Sequence, residues 1–388
     1  MDNFTFYNPV KILFGGGTIT RTGAEAARYG KKALFVYGRG SIKKNGVYSA
    51  ITSSLKAAGV SVTEHKGVKP NPVIAHVRAG IRKARLARCT VIVAAGGGSV
   101  LDAAKAIAAG VKYGGDAWDF FSGKAEIKRT LPIIAVPTLP AAGSEMNSGF
   151  VITNPAERRK EVTHCDASFP KVAIMDPAVT ATLPPRQTAY GAVDALSHLL
   201  EAYFTAATPA ARVTDELVEG LARSVIISTR AILRRPADYN ARASMMWAAA
   251  LAANGLGVCG YRGAEFLYHA IEHSLSALYD IPHGAGLAII IPACLRHQLK
   301  ALGPARLAGF GKKVLGTGGG ETETDAALRA IKGFEKLFSE FGAPARLAQA
   351  GIPAKDIPGI AAHAATTTAR WGINCTQAEI EKILRAAA

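Results

Sequence analysis

Asp194 and His198 stand at i and i+4 in GAVDALSHLLEAY, and His269, His273 and His283 follow in YHAIEHSLSALYDIPHGAG. A helix brings i and i+4 side chains to one face, so each cluster can converge on a single point. Three imidazoles and one carboxylate, with no thiolate, suit one divalent metal ion, Fe(II) or Zn(II). His273 shares a face with His269, so five groups compete for four positions; its other reading is a proton relay close to the metal. His283 lies after Pro282 and before a GAG run, at a predicted turn into a helix from which it can reach back. His65, His76, His164, His297 and His363 have no comparable grouping and read as surface or packing residues.

A second chemistry is written in VIVAAGGGSVLDAAKA, residues 91–106, which reads as strand, turn and helix. Glycines after an apolar strand let the backbone approach an anion without a Cβ in the way, and free N–H groups at a helix start attract a diphosphate. Gly96, Gly97 and Gly98 form that turn; Ser99 is predicted to cap the helix, with Asp102 completing a capping box. The pattern GGGSxxD departs from the GxGxxG fingerprint. In YGRGSIKKNG, residues 37–46, no acidic residue is available to hold ribose hydroxyls as in many NAD sites. Arg39, Ser41, Lys43 and Lys44 offer donors and positive charge that suit a 2′-phosphate, which predicts NADP(H) rather than NAD. GTGGGETET, residues 316–324, follows a helix instead of a strand and reads as a surface loop.

These sites need elements to hold them. The first half alternates: strands at 31–38, 60–68, TVIVAAGGG and 131–138, helices at 47–59 and 73–89. Such alternation argues a doubly wound, mostly parallel sheet. GFVITN and KVAIMD, flanking a polar excursion, are predicted as an antiparallel addition. After Pro177 strand signals nearly vanish, and helices are expected at 186–206, 210–233, 238–256, 262–278, 285–300, 302–315 and 323–341. The expected fold is therefore an α/β, Rossmann-like N-terminal domain over residues 1–177 and an all-α C-terminal domain over 178–388, with chemistry in the cleft between them.

With 388 residues, 49% of them hydrophobic, the chain has material for two cores. No run of eighteen apolar residues suggests a membrane span, and the start lacks the n- and h-regions of a secretory signal. Five cysteines are scattered, with no CxxC pair, which fits reduced thiols in a cytoplasmic protein. The net charge of +17 raises nucleic acid as a partner. Lys and Arg are spread along the chain without a basic run or an aromatic platform, so no nucleic-acid partner is expected.

At KPNPV, GGGSVLDAAK, PTLPAAGSE, MDPAVTATLPPRQTAYGAVDALSHLLEAYFT and HAIEHSLSALYDIPHGAG the chain closely resembles the iron-containing (group III) alcohol dehydrogenase family, over nearly its whole length. YGRGSIKKNG and TLPAAGSE look most like its NADPH-dependent butanol dehydrogenase and aldehyde reductase branch. The resemblance implies metal ligation by Asp194, His198, His269 and His283, with His273 matching an additional histidine close to the metal. It implies that Gly97, Gly98 and Ser99 form the diphosphate loop with Asp102 behind, that Asn71, Thr138, Leu139 and Lys160 line the coenzyme, and that Gly38 and Ser41 fall at the adenosine ribose. Where many members have a TTAGTGSE-type turn this chain has TLPAAGSE: Ala142 replaces a hydroxyl, while Ser144 remains. The implied activity is hydride transfer between NADP(H) and short- to medium-chain primary alcohols and aldehydes, in a homodimer joined partly through residues 4–12.

Two rivals share the scaffold. A glycerol-type polyol dehydrogenase would use NAD and zinc, with fewer ligands and an acidic ribose reader. A dehydroquinate-synthase-like lyase would need basic residues gripping a sugar phosphate, whereas the segments beside the candidate ligands, LLEAYF and SLSALY, are apolar. Phe150, Tyr261, Phe266 and Leu267 are candidates for an apolar substrate pocket, with core packing as their other reading.

Overall fold

The computed structural model describes residues 1–207, 211–318 and 322–388. The predicted helix start at residue 210 and the middle of the glycine-rich run 316–324 lie outside the described residues. Two compact units are present: one comprises Tyr7–Leu183 with Arg235–Ala250, the other Met1–Phe6, Pro184–Arg234 and Leu251–Ala388.

The first unit contains strands β1 (Lys11–Phe14), β2 (Lys32–Gly38), β3 (Ser61–Val68), β4 (Val91–Gly96), β5 (Ile133–Pro137), β6 (Gly149–Asn154), β7 (Arg159–His164) and β8 (Val172–Met175). Its helices are α1 (Thr22–Ala27), α2 (Ser41–Lys44), α3 (Val47–Ala57), α4 (Ile74–Leu86) and α5 (Gly98–Val111). Six strands form one parallel sheet in the order β1-β8-β5-β4-β2-β3. Every residue of β4 and β5 is buried, as expected for strands covered on both faces. One core, built on Leu34, Val36, Ile92 and Ala94, packs against α4 and α5. The other, built on Phe35, Tyr37, Val91 and Val93, packs against α3. The sheet is doubly wound, as the alternation predicts.

One expectation is corrected. GFVITN does form an antiparallel pair, β6 with β7, in a separate two-stranded sheet. KVAIMD does not join it: β8 runs parallel inside the main sheet between β1 and β5. Its residues Val172–Met175 are all buried, and a continuous apolar run of that kind belongs in a sheet interior.

The second unit is helical: α6 (Pro185–Thr205), α7 (Arg212–Arg234), α9 (Leu267–Tyr279), α10 (His283–Leu302), α11 (Pro304–Phe310), α12 (Glu323–Phe341), α13 (Ile357–Arg370) and α14 (Gln377–Ala386). Between α7 and α9 lies α8 (Tyr239–Ala252), whose Met246 and Ala250 belong to the core of the first unit. Pro185 opens α6, where a missing N–H costs nothing. α6 and α9 bury residues around most of their circumference, so polar groups on them face protein. No helix among the described residues is long and apolar enough to cross a membrane.

His65 and His76, expected at the surface or in packing, form a close pair with ring centroids 4.1 Å apart and planes tilted by 32°, between β3 and α4. Burial, with His76 and Lys83 adding to it, pushes His65 down to about 4. The unfolded imidazole titrates near ~6.5, so between the two values the unfolded chain binds more protons and stability falls as pH drops. Replacing His65 with Leu should flatten the loss of stability between pH 7 and 5 by about 2 kcal/mol in denaturant melts. An unchanged pH dependence would contradict the burial argument.

Candidate metal and coenzyme sites

Helix α6 places Asp194, His198 and Glu201 on one face at i, i+4 and i+7, and α9 places His269, Glu272, His273 and Ser276 likewise. His283 is the first residue of α10, after Pro282 in extended backbone. Ligand atoms of Asp194, His198 and His269 lie within 4.8 Å of one another, and His283 Nε2 is 3.9 Å from Asp194 Oδ1. The ring centroids of His269 and His283 are 5.2 Å apart, those of His198 and His269 4.7 Å. All four predicted ligands are thus brought together in one unit.

The donor set fits a divalent ion because each imidazole is already held by its other nitrogen. His198 Nδ1 donates to the Asp194 carbonyl at 2.8 Å. His269 Nδ1 donates to Glu201, and His283 Nδ1 to Glu272. In each case the hydrogen bond at Nδ1 fixes the tautomer and makes Nε2 the atom that would bind a cation, the arrangement that orients and strengthens metal-binding histidines. Burial, with His269 beside it, lowers His198 below the ordinary histidine range, which favours the neutral, ligating form.

Glu201 and Glu272 were not singled out from the sequence, yet both are fully buried. Glu201 also accepts the backbone N–H groups of Tyr268 and of His269 (3.3 Å), joining α6 to α9. Burial raises its carboxyl well above the usual range, and those two N–H groups pull it back. Glu272 accepts from Ser276 Oγ as well. The signal for both lay in spacing: each stands three residues after a candidate ligand in an otherwise apolar segment. Buried carboxylates are rare without a partner that needs them.

His273 is buried, with its ring 5.7 Å from that of His283. Trp371 also packs against it, edge-on at 5.0 Å, and nothing in the local sequence marks that residue. Of the four pocket candidates, Phe266 packs against the cluster, edge-on to His269 at 5.7 Å. Phe150 sits in the sheet core and Leu267 is buried. Tyr261 is tied to Asp215 at 2.5 Å and Arg306 at 3.1 Å, a network of its own.

In the α/β unit β3 is added on one side of β2 and β4 on the other, so the ends of β2 and β4 flank the switch point of the sheet, where ligands of such sheets bind. Tyr37 pairs with Ala95, which sets Gly38 beside the start of the glycine turn. Thr138 donates its N–H to Gly96 O at 2.9 Å and brings the next segment over that turn. A Cβ at Gly97 would stand 3.3 Å from Leu139 Cβ, and one at Gly98 3.4 Å from Ala142 Cβ, so segment 138–142 packs closely over the turn and a side chain at either glycine would press on it. Gly97, Gly98 and Ser99 remain half-buried. Asn71, at φ 50°, and Lys160, on β7 opposite Thr153, are buried.

The predicted capping is corrected. Gly97, in extended backbone, occupies the cap position and no side chain caps α5; Ser99 lies inside the first turn. Asp102 instead accepts from Ser144 Oγ at 2.7 Å and from the Val151 N–H at 3.1 Å. Tertiary donors outcompete the local one. Arg39, Ser41 and Lys44 are exposed after β2. Lys43 lies over Tyr48 at 4.5 Å and Tyr37 at 5.7 Å, and both hydroxyls donate to Glu64.

Comparison with known proteins agrees with this layout. The model described as iron-containing alcohol dehydrogenase matches residues 9–177, and that of the Fe-containing alcohol dehydrogenase family, C-terminal, matches 188–388. The chain is 41% identical to the probable NADH-dependent butanol dehydrogenase 1 of Bacillus subtilis, covering 93% of each. It is 36% identical to the NADPH-dependent aldehyde reductase YqhD of Escherichia coli, covering 93% of this chain and 92% of that one. The crystal structure of NADH-dependent butanol dehydrogenase A from Thermotoga maritima is similar at a TM-score of 0.95 and 44% identity, over 100% of this chain and 99% of that one.

Proposed function

The chain belongs to the iron-containing alcohol dehydrogenase family, and on that premise we propose that it reduces short- to medium-chain aldehydes with NADPH and oxidises the matching primary alcohols with NADP. The observation that carries this reading is the convergence of Asp194, His198, His269 and His283, each imidazole held through Nδ1. These four would hold one Fe(II) or Zn(II). When bound, the ion polarises the substrate oxygen as a Lewis acid and the nicotinamide gives or takes the hydride. Glu201 and Glu272 keep the histidine rings in one tautomer and orientation. His273, on the same face as His269, relays the proton to or from the substrate oxygen.

The edges of Phe266 and Trp371 against two of the histidines support an alkyl substrate over a charged one. Gly97, Gly98 and Ser99 would cradle the diphosphate at the start of α5, with Gly38, Ser41, Asn71, Thr138, Leu139, Ser144 and Lys160 around the coenzyme. Asp102 acts from behind, through Ser144. Arg39 would read the 2′-phosphate. Exposed Phe4, Phe6 and Tyr7, with β1 at the sheet edge, support a homodimer through the N-terminal segment.

Metal removal tests the reading. Protein stripped by a chelator is expected to lose more than about 99% of its aldehyde reduction, and stoichiometric Fe(II) or Zn(II) to restore it. Full activity in protein shown to be metal-free would refute it.

A further inference from the structure

Helix α5 carries more than the diphosphate turn. Lys105, two turns along, is completely buried. Its ammonium donates to Asn147 O at 2.8 Å, Asn147 Oδ1 at 3.1 Å and Gly149 O at 2.8 Å, which uses its three N–H groups. Asp102, three residues earlier on the same face, takes Ser144 Oγ and the Val151 N–H. Two side chains of one helix therefore grip both arms of the irregular segment 142–149. Asn147 ties that segment internally, donating to Ala142 O at 3.1 Å and accepting the Gly149 N–H at 3.1 Å. Burying an ammonium is costly, and a chain needing only volume there would be better served by an apolar side chain.

The sheet order says which half of the coenzyme this grip serves. β4, with the glycine turn at its end, lies between β2, which leads to Gly38 and Arg39, and β5, which leads to segment 138–149. With the adenosine read at the β2 end, the segment after β5 falls on the opposite side of the diphosphate turn. We propose that Lys105 and Asp102 are positioning residues that lock segment 142–149 to the diphosphate helix, so that the nicotinamide half of the coenzyme meets a preformed wall. The inference rests on the reading of Gly97–Ser99 as the coenzyme turn.

Two ligands separate this from general support of the fold. NADPH spans both sides of the turn, whereas 2′,5′-ADP carries only the adenosine half. In metal-loaded protein, Lys105→Met is expected to weaken NADPH about tenfold or more, read by its fluorescence, and to leave 2′,5′-ADP within about twofold. Should that variant not fold, Asn147→Ala removes one Lys105 contact and is expected to weaken NADPH about threefold with the same selectivity. Equal losses for both ligands, or an unchanged NADPH constant in a folded variant, would overturn the proposal alone. A wild-type protein that binds neither ligand would overturn the coenzyme reading along with it.

Discussion

His269→Ala is expected to empty the metal site and to lower aldehyde reduction by about a thousandfold or more, since a Lewis acid held there would lower the barrier by several kcal/mol. His269 sits at the centre of the cluster, between His198 and His283, with Glu201 fixing its ring. Removing it takes away one donor and strands a buried carboxylate, so Glu201 loses a partner too. Glu201→Gln gives the graded control. The amide oxygen can still accept a hydrogen bond from His269 Nδ1 but without the charge that strengthens the ligand, and metal affinity should fall about 10–100-fold. Metal content per chain, measured after dialysis, reads both. Full occupancy in His269→Ala would remove that histidine from the ligand set.

The second large effect concerns the coenzyme. Arg39→Asp is expected to move the NADPH-to-NADH preference, as a ratio of kcat/KM, by about a hundredfold toward NADH. If Arg39 meets the 2′-phosphate, replacing that cation with an anion changes the interaction by about 2–3 kcal/mol, and an aspartate there can accept from free ribose hydroxyls. The neighbouring cation is not equivalent. Lys43 is engaged over Tyr48 and Tyr37, in front of a Glu64 that those two tyrosines already bind. Lys43→Ala should therefore change the ratio less than Arg39→Asp. The NADH-dependent names of several relatives sharpen this experiment: an unchanged ratio would show that residues 37–46 do not select the coenzyme here.

What could be read from the sequence follows a physical divide. Positions that share a helix face are set by local geometry, so Asp194 with His198 and His269 with His273 were visible as pairs before any fold was known. The glycine turn was equally legible, because an apolar run, three glycines and a helical pattern leave few alternatives. The carboxylates behind the histidines were not. Apart from their spacing after His198 and His269, Glu201 and Glu272 look like ordinary helix-surface acids, and the packing of α6, α9 and α10 shows that they face inward. Trp371 is marked by nothing local; its role beside His273 comes from the packing of α13, whose end it follows, against α9. Asp102 misled for the opposite reason. Its spacing from Ser99 satisfies a local capping rule, but Ser144 and Val151 arrive from forty or more residues away and claim both oxygens. KVAIMD likewise has no local feature that distinguishes a ribbon strand from an interior one except its unbroken apolar run.

The most direct test of the account is the oxidation of NADPH and NADH with butanal by protein purified without oxygen and reconstituted with Fe(II) or Zn(II). Turnover is expected to require the metal and to run faster with NADPH. Absence of turnover with either coenzyme, in protein whose metal site is shown to be filled, would contradict it and shift attention to sugar phosphates as substrates of a lyase.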